Sequence, residues 1–179
     1  YTRDYPAERL YRDNRLNPIH EGTNGIQAMD LLGRKILGDG GQALRLLASR
    51  MEATAQRAAD DGELAPHAKA LRAAMGRVAE ATGAVGQQAA GGALRAALAN
   101  ATLFAEGFGH VVIAWIWLEK ALTARTALRS CSDADRDFYR GKCSACDYFF
   151  RYELPTIYPK LDVVAGLDST CLDMDSNTF

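Results

Sequence analysis

Apolar residues in this chain recur every three to four positions, in stretches separated by short glycine- and proline-bearing breaks, and strand-like alternation of β-branched residues is missing. That period belongs to amphipathic helices. Pro6 suits the first turn of a helix running to about Arg15, and Asn17-Pro18 is expected to end it, because the residue before a proline disfavours the helical region. Positions 19–25 then read as a tight loop with two glycines. A second helix is expected near Asn24, where Asn24 and Gln27 have the spacing of a capping box, with Ile26, Met29, Leu32 and Ile36 as its apolar stripe. Gly38-Asp39-Gly40-Gly41 breaks the pattern.

Further helices are predicted over 42–59, 66–90, 93–128 and 133–153, parted by Asp60-Asp61-Gly62, Gly91-Gly92 and a short polar segment. Leu154-Pro155 is expected to stop the last of them. The remainder, acidic at Asp168, Asp173 and Asp175, reads as an irregular tail that packs or pairs with another subunit. Short turns between long helices imply antiparallel neighbours. The predicted fold is therefore all-α, an antiparallel helical bundle, divided into 1–41, an up-and-down four-helix bundle over 42–153, and a tail over 154–179.

Composition narrows the function. With 179 residues and a 48% hydrophobic fraction the chain can bury a core, and one domain, or one and a piece, is expected. A formal charge of -1 supplies no general attraction to nucleic acid or anionic lipid. Four cysteines are too few for a disulfide scaffold, so reduced thiols in a cytoplasm-like compartment are expected. The preponderance of arginine over lysine hints at a GC-rich bacterial genome. The chain opens at Tyr1 with no charged-then-apolar leader, so no secretory signal is expected. The longest apolar run, VVIAWIWL at 111–118, is far shorter than the roughly 20 residues of a membrane span, and is read as a buried helix segment.

Chemistry concentrates in Ile19-His20-Glu21-Gly22-Thr23-Asn24-Gly25-Ile26-Gln27. A carboxylate at Glu21, one turn ahead of a helix start, stands near the positive end of the helix dipole. Backbone N–H groups around Gly22, Thr23 and Asn24 suit an anion or a carbonyl oxygen, and the flanking glycines let a flat ligand approach the backbone. The plainer alternative is that Glu21 only caps the helix or pairs with Arg12 or Arg15.

Asp4-Tyr5-Pro6, Glu8-Arg9, Arg12-Asp13, the nine residues above and Leu32-Gly33-Arg34-Lys35 together closely resemble the C-terminal helical domain of flavin-dependent acyl-CoA dehydrogenases. The remainder is similar to the extra C-terminal helical domain of a bacterial branch of that family. The resemblance implies that 1–41 ends the dehydrogenase helical domain, and that the chain is the C-terminal piece of a longer enzyme, inactive alone. It implies FAD as cofactor, an acyl-CoA thioester as substrate, an electron-accepting flavoprotein as partner, and a homo-oligomer such as a dimer. Glu21 matches the catalytic base that removes the α-proton while the β-carbon passes hydride to the flavin. Gly22 would pass against substrate, and Thr23, Asn24 and Gly25 would contact the flavin dinucleotide. His20 stands where the family has tyrosine, which alters the pocket edge beside the base. The competing reading from another class is a non-catalytic helical assembly module.

Other candidates weigh less. Cys143-Ser144-Ala145-Cys146 is a CxxC inside a predicted helix, without a second CxxC or a nearby histidine, so inert buried thiols are expected and no metal site is. His110 reads as a satisfied core histidine, His67 as a solvated one, and Phe104, Phe108, Trp115 and Trp117 as bundle core. Gly38-Asp39-Gly40-Gly41 does not follow a strand and fails the context of a dinucleotide loop.

Overall fold

The computed structural model describes residues 4–19, 23–175 and 177. Among them all regular elements are helical: α1 (Ala7–Asn14), α2 (Leu16–Ile19), α3 (Thr23–Met29), a π-helical continuation (Asp30–Leu37), α4 (Gln42–Ala59), α5 (Ala65–Ala90), α6 (Leu94–Ala97), α7 (Ala101–Leu128), α8 (Asp133–Tyr148) with a π-helical continuation (Phe149–Glu153), a 3-10 turn (Leu154–Thr156), α9 (Ile157–Ala165) and α10 (Thr170–Asp173). The protein is an all-α helical bundle.

Local chemistry sets the breaks. Gly40 and Gly41 adopt φ of 65° and 77°, a region closed to most side chains. The turn they make lets the Asp39 carboxylate accept from the backbone N–H groups of Gly41, Gln42 and Ala43 and so cap α4. Hydrogen bonds from Ala43 and its neighbours hold the Asp39 carboxyl below the usual carboxylate range. Pro66 occupies the first turn of α5, where no N–H is missed. Ser132 caps α8 by accepting from the Asp135 N–H.

Helix α7 is the centre, with α4, α5, α8 and α9 packed around it. Its buried residues are Ala101, Phe104, Gly107, Val111, Ala114, Leu118, Ala121 and Ala124. They recur in steps of three or four, the seam spacing of helices that pack lengthwise. Most are small, so neighbouring backbones approach closely. A Cβ added to Gly107 would come within 3.1 Å of Leu161 on α9. By length and composition α7 would also cross a membrane; here its buried stripe is covered by the helices around it.

The C-terminal expectation needs correction. Positions 154–179 were predicted irregular, yet Leu154, Ile157, Leu161 and Val164 are buried in the main core. Pro155 lies in the first turn of the 3-10 segment and Pro159 in the first turn of α9, positions whose N–H groups have no helical partner anyway. These prolines start helices instead of ending them. Two smaller differences accompany this. The predicted helix over 93–128 is interrupted between α6 and α7, where the Asn100 side chain donates to the Asp168 carbonyl at 2.7 Å. In the segment opening at Thr23 the buried residues are Ala28, Leu32 and Ile36, four apart, whereas Ile26 and Met29 face solvent.

Two polar clusters tie the helices together. Thr54 is 1% exposed; its hydroxyl accepts from Trp115 Nε1 at 2.7 Å and donates to the Glu119 carboxylate, which also receives Arg57. Thr54→Val keeps the shape but leaves the Trp115 N–H without a partner and removes one of the two hydrogen bonds that Glu119 Oε1 accepts. A loss of about 1–3 kcal/mol is expected in urea unfolding.

The second cluster joins the α4–α5 turn to α7, where Arg125 holds Asp61 at 2.6 Å and also Glu63. Burial pushes the Asp61 and Glu119 carboxyls up, but hydrogen bonds from Arg125 to Asp61, and from Thr54 and Arg57 to Glu119, outweigh it and hold both below their ordinary values. A carboxyl depressed in the folded state contributes stability that is complete above its unfolded pKa of about 4 and is lost as pH falls through the lower folded value. Unfolding free energy is therefore expected to be level from about pH 7 to 5 and to fall below about pH 4. Arg125→Ala should flatten that acid limb.

Candidate functional site

The elements ahead of the bundle carry the candidate chemistry. Thr23, Asn24 and Gly25 open α3. Thr23 is partly buried, and Asn24 and Gly25 are exposed. Among the described residues nothing lies within 4 Å of where a Gly25 Cβ would stand, so the edge of α3 has room for a flat group. His20, Glu21 and Gly22 lie outside the described residues.

Around this helix start the charged side chains are paired locally. Arg12 approaches Glu8 at 3.7 Å and Arg9 approaches Asp13 at 3.8 Å, both along α1. Asp30 receives Arg34 through two nitrogens and Lys35 at 3.4 Å. The Arg34 hydrogen bond is the main reason that the Asp30 carboxyl sits below its usual range. Gly33, between Leu32 and Arg34, has a packing role: a Cβ there would stand 3.3 Å from Leu98. The glycine thus lets the connection before α7 close over the π segment.

The same region exposes apolar surface. Helix α1 has no buried residue. Tyr5, Leu10, Tyr11, Leu16, Ile19, Ile26 and Met29 are all exposed, from 47% at Met29 to 72% at Tyr5. Side chains of this size, gathered in one short stretch, are the usual composition of a surface covered by more protein.

Elsewhere, the two thiols of the CxxC are covered. Cys146 is fully buried, and burial pushes its pKa up to about 12; Cys143 is partly buried and raised for the same reason. A thiol held protonated is a poor nucleophile and a poor metal ligand. In the native protein iodoacetamide at pH 8 is expected to label exposed Cys171 readily and to reach Cys146 only after urea unfolding, as peptide mass spectrometry would record. Among the described residues no group of three or more His, Cys, Asp or Glu side chains is placed to hold a metal ion.

The two described histidines differ. His110 lies with Nδ1 at 2.9 Å from the Glu106 carbonyl, a satisfied ring as expected, but it is partly exposed and not in the core. His67, expected to be solvated, is instead mostly covered, edge-on to Phe150 with Nε2 at 2.9 Å from Asp147. Position near a helix start did not reveal that α8 and its π continuation lie over it. Phe104 is fully buried, and Phe108, Trp115 and Trp117 pack against the core. Sequence reasoning missed the Thr54–Trp115–Glu119 cluster, whose members stand 61 and 65 positions from Thr54. The one local signal was a threonine among the apolar positions of α4.

Comparison with known proteins completes the description. Residues 47–175 match a family model described as acetyl-CoA dehydrogenase C-terminal like. Along its whole length the chain is similar to the broad-specificity linear acyl-CoA dehydrogenase FadE5 of Mycobacterium tuberculosis, 30% identical over 186 aligned residues that make up 30% of that protein. Over 79% of its length it is similar to the 3-methylmercaptopropionyl-CoA dehydrogenase of Ruegeria pomeroyi, 35% identical over 147 residues, 24% of that protein. The chain thus spans less than a third of the length of either relative. With the bundle matched across most of its helices and this chain aligned over its whole length with a relative, it belongs to the acyl-CoA dehydrogenase family.

Proposed function

We propose that the chain is the C-terminal part of an FAD-dependent acyl-CoA dehydrogenase that converts an acyl-CoA thioester to the 2,3-enoyl-CoA, with Glu21 as the base. The observation that carries this reading is the end-to-end alignment with a named acyl-CoA dehydrogenase, which takes in the segment from Ile19 to Gln27 as well as the bundle. In this reading 1–41 ends the dehydrogenase's helical domain, and the exposed apolar side chains of α1, α2 and α3 pack on the rest of the enzyme.

The residues present fit one edge of a flavin site: exposed Asn24 and Gly25 at a helix start, with open space over Gly25. Bound FAD supplies the hydride acceptor. The Glu21 carboxylate takes the α-proton, which is acidic enough to remove only when the thioester carbonyl is hydrogen-bonded and water is excluded. The Glu21 N–H helps to polarise that carbonyl, Gly22 lets the substrate lie close to the backbone, and Thr23, Asn24 and Gly25 contact the dinucleotide. Arg9, Arg12 and Asp13 stiffen the approach to the loop through pairing along α1. We read α7 as the bundle's central helix and not as a membrane span. The enzyme works as a homo-oligomer and passes its electrons to a flavoprotein.

The test uses the full-length protein that carries this chain. It should purify yellow, and without oxygen one or more acyl-CoA thioesters, from a panel of linear chains and 3-methylmercaptopropionyl-CoA, should bleach the flavin band. A colourless protein that takes up no added FAD would defeat this reading in favour of an assembly module. Bound flavin that no thioester bleaches would defeat the dehydrogenation step.

A further inference from the structure

Between α7 and α8 lies an open hollow of about 470 Å³, remote in sequence from the loop at Glu21. Its walls are apolar, built chiefly from Trp115 and Ile116 on α7 and Phe138 and Tyr139 on α8. Phe138 is 60% exposed and Ile116 42%. Both helices also bring a lysine to it, Lys120 and Lys142. Lys120 stands eight residues before the end of α7 and Lys142 nine after the start of α8. At about 1.5 Å per residue in a hairpin of two helices the two lysine backbones are therefore level with each other, and their side chains reach the hollow from its two sides.

Charge gives the hollow its character. Among the described residues neither lysine has a carboxylate partner; each ammonium rests on a ring, Lys120 on Trp117 and Lys142 on Phe138, both at 4.7 Å from the centroid. Several other cations of the bundle are committed to carboxylates, as Arg57, Arg72, Arg77 and Arg125 are. The one carboxylate in the lining, Glu119, is already engaged by Thr54 and Arg57. Two uncompensated ammonium groups beside an aromatic and aliphatic floor complement a molecule with an anionic head and a flat or extended apolar body.

We propose that this hollow binds a small organic anion, its carboxylate or phosphate held between Lys120 and Lys142 and its apolar body laid on Trp115, Ile116 and Phe138. The site stands apart from the dehydrogenase reading and survives that reading's failure.

Calorimetric titration of the full-length protein tests it with 2-naphthoate and 2-naphthyl phosphate as probes and 2-naphthalenemethanol as the uncharged counterpart. One or both anions should bind at low salt, and the alcohol at least about tenfold more weakly. The K120A/K142A double variant should lose binding by at least about tenfold, and raising the salt should weaken the wild type. Because both lysines are on the surface, circular dichroism should find the double variant folded. A second variant, F138A, should weaken both anions while leaving the salt dependence in place. The proposal is overturned if neither anion binds below about 1 mM, if the double variant titrates like wild type, or if the alcohol binds as tightly as the anions.

Discussion

In the full-length flavoprotein, Glu21→Gln is expected to retain bound FAD and to lose flavin bleaching by acyl-CoA by about a thousandfold or more. Glutamine keeps the size of the side chain and its hydrogen-bonding reach but accepts no proton, and a positioned base contributes about 10²–10⁴-fold to such a step. Stopped-flow reduction without oxygen measures it directly. A variant that bleaches at the wild-type rate would remove Glu21 from the reaction and leave it the capping or pairing role open to any carboxylate before a helix. Glu21→Asp should restore part of the rate, since it returns the carboxylate one methylene further from the α-carbon. The conservative variant thereby separates proton transfer from damage to the loop.

Leu161→Ala is expected to destabilise the protein by about 2–5 kcal/mol, read as a lowered urea midpoint. Leu161 is fully buried on α9 and packs on Gly107 of α7, where the missing side chain of the glycine makes its seat. Truncation leaves a void that a rigid helix pair refills poorly. Against a total stability of roughly 5–15 kcal/mol this is a large share. Val163→Ala, two positions on and 38% exposed, should cost far less, within about 0.5 kcal/mol. Equal effects at the two positions would mean that α9 does not seal the bundle.

The four long helices were legible because their apolar stripes are unbroken and their ends carry glycine, proline or a capping residue. Residues 42–59 show this best, with Asp39-Gly40-Gly41 before the helix and Asp60-Asp61-Gly62 after it. Ile157, Leu161 and Val164 have the same helical spacing, but Pro155 precedes them and Pro159 lies among them, and proline has opposite meanings at the two ends of a helix. Ile26 and Met29 differ for another reason: they belong to the apolar surface of α1 to α3, which the bundle leaves uncovered. The candidate loop was legible from a run of adjacent residues, Glu21 through Gly25, which needs no tertiary knowledge. The pairing of Thr54 with Trp115, or of Lys120 with Lys142, depends on which helices become neighbours, and neither stretch of sequence records that.

The position of α9 also bears on how the protein is made. Arg77 on α5 pairs with Asp162 on α9, 85 positions later. While the polypeptide leaves the ribosome, α5 and α7 wait with an apolar seam uncovered until 157–165 has emerged. A stop codon just past Glu153 would therefore release a product with its long helices translated and its hydrophobic seam unsealed, a substrate for chaperones and proteases.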